Sequence, residues 1–587
     1  MSNLNQSFGG STLIIPGTYY ADNINANLPA NIFPGLPLIF IGVGYGGVPK
    51  TAYSFSDANS LKTFMRGSAS ARFVDFFTTP SPEVPGAQQF VYINPAPNTA
   101  ASGTLTDAAS AVVVTMNAVN YGAPGNSIQY EVTAGTTAGI NLFLSDPYTG
   151  AAYTGYNLGV PFQLTYTGTA TAVSYTVTVS GGVAVKFATT GGHAGENISL
   201  DLTTTSYATI SQVLQYLNSN GSYTAQLLSN GNLPTSALDA ALAVSLPVTT
   251  VTNVTATLGN IVYWVNTTAS SIATAVAASS ITSAPSAIPT AQGLLYFTGG
   301  VNNAPANSDY ASAFNVALSQ QGWVIFADSS NAGVQLLGAE HATQASSIPA
   351  KTWRRFVTGS TLGDSITTTV SAARALNAIN STYVYPGIQA IDPTSGNTVI
   401  YSGLYSAAAV AGMMAGAPIA LPETNKALNA VGVETILTTA DIDTLQQSGV
   451  MPVYINPTTN TPTVVSDLTT WQNDANPENV FNQQVACRYA LAYTLTNALQ
   501  PYVGQVASSQ GQIRVANACK RALNNSIYND SSGNGFLNSW DASTLILSYD
   551  GTTQTLTVTV NVVLVGQYRF IEFTVSVQPL ELTSIGA

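Results

Sequence analysis

The chain has 587 residues, of which 27 are Asp or Glu and 15 Lys or Arg, so only 7% carry charge and the net charge is −12. Ordinary soluble domains carry about 25% charged residues, so this surface must be built from neutral polar groups or hidden against neighbouring copies, as suits an assembly subunit. The acid excess argues against a nucleic-acid partner. With two cysteines and two histidines, a disulfide scaffold and a zinc motif are excluded as well.

In chain order, residues 1–35 read as an extended arm: polar residues, the apolar run Leu13, Ile14, Ile15 and Tyr19, then a Pro/Asn/Gly stretch without helical periodicity. Met1-Ser-Asn-Leu-Asn-Gln has neither the basic start nor the apolar core of a secretory signal. Leu36 to Gly42 is an apolar run of strand length, expected to be covered on both faces. Ser56-Asp57 then caps a short helix, and Gln89 to Ile93 returns as a strand.

From 101 to 289 the composition shifts to Thr, Ser, Ala, Val and Gly with Lys186 as the sole cation, which marks an inserted β-rich module. Gly122-Ala-Pro-Gly-Asn-Ser-Ile128 echoes Gly192-His-Ala-Gly-Glu-Asn-Ile198, which suggests two related β units, and Thr209 to Leu217 reads as a helix. From 290 strands and helices alternate: Leu294–Phe297, Asp309–Ser319, Trp323–Ala327, Val334–Thr343, Arg355–Val357, Ile366–Asn377 and Thr382–Tyr385. That alternation predicts a largely parallel sheet flanked by helices, and residues 36–100 fit the same sheet. The uncharged stretch Leu404–Leu421 is broken by glycines and Pro418 and reads as a buried helix and loop, not a membrane span.

Two helices, Glu478–Leu499 and Gln510–Ile527, precede a hairpin turning at Asp550-Gly551, a long alternating strand from Thr555 and a last strand Phe570–Val577 that carries Phe573, Val575 and Val577. The expected fold class is thus multidomain α+β and α/β: a discontinuous α/β core (36–100 and 290–470), the mainly β insert (101–289), a C-terminal α+β domain (471–577), and extended terminal arms (1–35 and 578–587).

Candidate chemistry is sparse. Gly42-Val-Gly-Tyr-Gly-Gly47 has dinucleotide-loop spacing, but Pro49 breaks the helix that would have to follow, so it is a glycine turn. Glu340, His341, Asp328 and Ser329 could compose a triad only without a nucleophile elbow, and His341 reads instead as a partly exposed helix-end residue. Asp441 and Asp443 suit the first turn of a helix capped by Thr438 or Thr439. Cys487 and Cys519 fall on apolar helical stripes and read as core. No cofactor or metal is implied. One charge pattern stands out: Arg488, Arg514, Lys520 and Arg521 lie between Glu478 and Asp530 with no acid among them. Arg514 and Arg521 share a helical face, which reads either as a solvated polar face or as a surface for docking on an acidic partner.

Five collinear segments resemble the tail sheath proteins of contractile-tailed phages and contractile injection systems: Pro16-Gly-Thr-Tyr19; Leu38 to Pro49 with Tyr53-Ser-Phe-Ser56; Phe297-Thr-Gly-Gly-Val-Asn302 with Asp309-Tyr310; Ala408-Ala-Val-Ala-Gly412; and the C-terminal helix pair with its strands. The resemblance implies a structural, non-enzymatic virion subunit, assembled in the host bacterial cytoplasm. It would polymerise with itself as stacked, hexameric rings around the tail tube protein, between baseplate and tail terminator proteins. It places the insert outside and the C-terminal domain, with Arg488, Arg514, Lys520 and Arg521, toward the tube. The arms, including Leu13, Ile14, Ile15, Tyr19, Phe573, Val575 and Val577, would add strands to neighbouring subunits. Neither nucleic-acid binding nor membrane insertion is implied. A surface-layer or adhesin-like protein is the competing class.

Overall fold

The computed structural model describes residues 6–8, 11–13, 36–278, 288–348, 350–529 and 534–569. At its centre is an eight-stranded sheet in the order Pro462–Val464, Val450–Ile455, Ser381–Tyr385, Arg355–Gly359, Val324–Ala327, Leu38–Ile41, Phe90–Ile93, Ala52–Phe55. Every pairing is parallel except the two outermost, so six parallel strands run between antiparallel edges.

Alternation along the first strand shows how the sheet is covered. Leu38 and Phe40 enter one core and Ile39 and Ile41 the other. The latter core is closed by helices Asn307–Ala317, Ala332–Ala345, Ile366–Leu376 and Thr439–Gln446. The former is closed by Arg72–Thr78, by the small-residue helix Gly403–Gly416 and by Asn482–Leu499. Strands buried on both faces need continuous apolar runs, which is why Leu-Ile-Phe-Ile reads as it does. The Ala/Gly content of Gly403–Gly416 has a packing cause: a Cβ at Gly412 would lie 2.4 Å from the Phe77 carbonyl oxygen. Among the described residues no helix is long and apolar enough to cross a membrane.

Two further apolar cores lie between Ala101 and Phe297. One gathers residues from Ala101–Leu158 and from Leu258–Phe297; the other lies wholly within Phe162–Ala256. The second is therefore nested in the first. The helix Ile210–Ser219 of the nested unit carries the Thr209/Gln212 capping box.

Strand Gln292–Tyr296 corrects one sequence expectation. It pairs with Gln129–Ala134 of the β region, not with the central sheet. Leu294, Leu295 and Tyr296 are exposed, and Phe297 alone is buried. A run of four apolar residues indicates a strand but not its sheet, and here it is an edge. The polypeptide enters and leaves this β region side by side, with Thr99 bridged to Val301 and Asn303 N donating to Asn98 Oδ1 at 2.9 Å.

The predicted C-terminal helices are present as Asn482–Leu499, preceded by one turn at Pro477–Val480, and Ser509–Asn525. Val485, Ala486, Cys487, Tyr489, Ala490 and Leu491 share the core beneath the sheet. The first helix of the pair is thus built into the α/β body.

Candidate interaction surfaces

The four cations singled out by sequence do not form one surface. Arg514, Lys520 and Arg521 are exposed on helix Ser509–Asn525, whose buried stripe is Val515, Ala518, Cys519 and Leu523. Among the described residues none of these three makes an ion pair. Arg488 stands apart: it is buried, its Nη1 donates to Asn479 Oδ1 at 3.2 Å, and its guanidinium lies 5.7 Å from the Tyr489 ring centroid. It occupies the part of its helix that lies under the sheet, so it is a structural cation, whereas the later helix projects the other three. Charge spacing alone could not separate the two cases.

Of the residues expected to add strands to neighbours, Leu13 closes the strand Ser11–Leu13, which pairs antiparallel with Gln6–Phe8. Ile14, Ile15, Tyr19, Phe573, Val575, Val577 and the expected strand Phe570–Val577 lie outside the described residues. Nearby in sequence, the C-terminal region holds two small sheets, Leu537–Trp540 with Val562–Leu564 and the hairpin Ile546–Asp550 with Thr555–Thr559. Both are two-stranded; Leu537 is also bridged to Ile527, whereas the hairpin pairs with no further strand among the described residues.

The glycine turn Gly42–Gly47 is filled by the chain itself. Val43 N donates to Asp328 Oδ2 at 2.6 Å, where a phosphate would have to accept it. Asn94 and Asn98 side chains both donate to Gly44 O, at 2.7 and 2.9 Å. A Cβ at Gly46 would lie 1.8 Å from Phe64 O. Asp328 also accepts from Ser70 Oγ and, at 2.7 Å, from Tyr310 Oη. Burial pushes its carboxyl above the ordinary Asp range. The glycines serve close packing around the Asp328 carboxyl group.

His341 differs from its expected helix-end place. It lies within helix Ala332–Ala345, buried, with Nε2 2.8 Å from Arg354 Nη1 and its ring 5.3 Å from that of Phe314. Burial, reinforced by the Arg354 charge, lowers its pKa to about 3, so it accepts from the guanidinium as neutral imidazole. Arg354 also donates to the carbonyls of Ala317 and Gly322, at 2.6 and 3.3 Å, and to that of Gln320, capping the end of helix Asn307–Ala317. Asp328 is engaged at the glycine turn, and no triad is assembled. Thr438 and Asp441 form the expected reciprocal cap, with Thr438 N to Asp441 Oδ2 at 2.8 Å and Asp441 N to Thr438 Oγ1 at 3.2 Å. Both cysteines are buried, and burial raises their thiols to about 12 and about 11. Among the described residues no group of three or more His, Cys, Asp or Glu side chains could hold a metal ion.

Sequence reasoning missed the charges that join parts of the molecule. Arg66 and Asp146 form a buried ion pair between the α/β core and the inserted β region. Arg355, Glu423 and Asp467 are all buried, and the two acids favour the charged form of the guanidinium without an ion pair to it. The signal available was the doublet Arg354-Arg355 set between Trp353 and Phe356, two cations in apolar surroundings in a chain otherwise poor in charge.

The fold so described is that of sheath tail proteins. The solved sheath tail protein of Listeria innocua superposes with a TM-score of 0.56 at 11% identity, covering 92% of this chain and 94% of that one. That of Desulfitobacterium hafniense superposes with a TM-score of 0.52 at 11% identity, covering 94% and 96%. In sequence, the chain is 26% identical over 456 residues to the tail sheath protein of Bacillus phage SP01, which is 76% of each chain. No protein-family model matches. The resemblance to the tail sheath family therefore holds in sequence and in fold.

Proposed function

We propose that the chain is the structural subunit of a contractile phage tail sheath. It polymerises in stacked, hexameric rings around a tail tube, between a baseplate and a terminator, and contracts to drive the tube through the host envelope. It is assembled in the host cytoplasm, resides in the virion tail and has no enzymatic role. The observation that carries this reading is the match to a phage tail sheath protein over three quarters of both chains. The charge-poor surface supports it, because contacts made by main-chain hydrogen bonds tolerate neutral polar sequence. The edges of the hairpin Ile546–Asp550 with Thr555–Thr559, which pairs with no further strand among the described residues, offer such contacts to a neighbour's arm. In this reading the β region 101–289 faces outward and Arg514, Lys520 and Arg521 face an acidic tube, while Arg488 holds its own helix. Strand exchange keeps subunits tied while their bodies rotate and slide.

Negative-stain microscopy of the purified chain tests the reading. Hollow polymers of sheath width are expected; flat lattices indicate a surface-layer protein, and monodisperse particles at assembly concentrations refute the polymer.

A further inference from the structure

Where the edge of the central sheet meets the inserted β region, the chain leaves an open cleft of about 420 Å3. That is within the roughly 300–1,000 Å3 of sites that hold small molecules, which favour the boundary between folded units. One side of the cleft is core: Phe55 closes the edge strand Ala52–Phe55, and Asn59, Thr63 and Phe64 belong to the following helix Ala58–Phe64. The other side includes Asn120, from the strand Val112–Tyr121 of the β region. Arg66, two residues beyond the helix, also lines the cleft.

Three features of the lining define what fits it. The first is a surplus of donors. Arg66 directs Nη2 to Asp146, while its Nη1 is buried and donates to no acceptor among the described residues. Buried donors are rarely left in that state, because nothing then replaces the water the N–H has lost. Asn120 presents Oδ1 to the Gly47 amide at 2.7 Å, which fixes the orientation of its side chain and leaves Nδ2 as a second free donor among the described residues. The second feature is charge. No acidic side chain lines the cleft, and its one cation is already neutralised by the ion pair with Asp146. A cationic ligand would find no counter-charge, and an anionic one would bring a second negative charge to a guanidinium that already has its counter-ion. The ligand that fits is therefore neutral. The third feature is an apolar wall: the Phe55 and Phe64 ring centroids lie 5.1 Å apart with their planes inclined at 55°, a surface suited to a methyl group. Beside it, Asn59 and Thr63 have side chains without a hydrogen-bond partner among the described residues, so each has an oxygen free to accept from an N–H.

We propose that this cleft is a binding site for a small neutral molecule that carries an acetamido group. The carbonyl oxygen takes the free donors of Arg66 and Asn120, the methyl group lies against Phe55 and Phe64, and the N–H is accepted by Asn59 or Thr63. An N-acetylated sugar and a capped peptide end both present this group. A ligand seated there touches the core and the β region at once. The site belongs to the single chain and does not depend on the sheath reading.

Ligand-observed saturation-transfer NMR on the full-length chain provides the test. The probes are N-acetylglucosamine, N-acetylalanine amide, glucose and sodium acetate, each at about 10 mM, to match the millimolar affinities that small ligands attain. Saturation is expected to reach the acetyl methyl group of the two amides, but not glucose, which lacks the group, nor acetate, which is charged. Binding about tenfold tighter for one amide than for the other identifies the source as sugar or peptide. Thr63→Arg fills the cleft from an exposed position and should abolish transfer without moving the thermal midpoint. Asn120→Asp keeps an oxygen for the Gly47 amide and exchanges the free donor for an acceptor, so binding should weaken about tenfold. This second variant decides the matter if Thr63→Arg fails to fold. The proposal is overturned by the absence of transfer to both amides, by acetate binding at least as well as the amides, or by undiminished transfer in either folded variant.

Discussion

The ion pair between Arg66 and Asp146 gives the most direct test of how the inserted β region is held. Each side chain is 1% exposed. Arg66 sits in the left-handed region at φ +52°, and its guanidinium lies 5.3 Å from the centroid of the Tyr148 ring. Asp146 Oδ1 also accepts from Tyr148 N at 3.0 Å, so one carboxylate shapes the strand-end turn and neutralises the core's cation. Asp146→Ala would leave a buried guanidinium without its counter-charge, at a cost of about 3–5 kcal/mol, to which the lost turn contact adds about 1 kcal/mol. The ring interaction offsets about 1 kcal/mol at most. The net expectation is a destabilisation of about 4 kcal/mol, felt where the β region meets the core. A chain with several apolar cores does not unfold in one step. The readouts are therefore the midpoint of the first thermal transition and the rate of protease cleavage within 101–289. Arg66→Met combined with Asp146→Ala should recover most of the loss, because the penalty lies in the uncompensated charge. A single variant within about 0.5 kcal/mol of the wild type, or a double variant no better than the single, would refute this reasoning.

Further expectations concern assembly and pH. Arg514→Glu with Arg521→Glu should leave tube-free polymers intact and abolish extended coating of purified tube; each exposed contact is worth about 0–1 kcal/mol but recurs in every ring, and unchanged coating at physiological salt counts against a tube-facing role. Removal of 1–20 or of 578–587 should give a folded, soluble subunit that does not polymerise, checked by sedimentation and microscopy. Excision from Asn98 to Asn303, where the strands enter and leave together, should retain tube-forming ability, and persistent insolubility across several linkers would show the β region to be required for folding. For His341, whose folded pKa of about 3 lies below its unfolded value, stability is lost as pH falls from about 6.5 toward 3; the loss reaches about 5 kcal/mol at most, and His341→Gln should flatten that part of the profile.

Much of the fold was legible in the sequence because burial on two faces leaves a plain signature. The runs at Leu38–Ile41 and Phe90–Ile93, and the helix periodicities at 307–317, 332–345 and 366–376, lie where pattern placed them. The Thr438 cap was readable because both partners lie within four residues. What failed were particular residues and one strand whose places are fixed by distant partners. Leu294–Phe297 has the composition of a core strand and pairs elsewhere. His341 looks like a surface residue until Arg354 and Phe314 are placed around it. Arg488 is indistinguishable by spacing from Arg514, and differs because one helix lies beneath the sheet and the next does not.

The distribution of charge joins these observations into one physical picture. A chain with 7% charged residues nonetheless buries Arg66, Arg354, Arg355, Arg488, Asp146, Glu423 and Asp467. Burial of a charge is costly without a partner, so each such group fixes the geometry of the elements around it more sharply than apolar packing does. They stand at joints: Arg66 with Asp146 between core and β region, Arg354 at a helix end, Asp467 at the start of the C-terminal helix under the sheet. The surface, by contrast, is made chiefly of hydroxyl, amide and backbone groups. Groups of this kind tie elements of the chain together at defined places, while the neutral polar surface carries hydrogen-bonding groups that many sequences can satisfy. The cationic face of Ser509–Asn525 is the exception on the described surface, three exposed cations without an ion pair among the described residues, and it is where a partner chosen by charge rather than by shape has the most to gain.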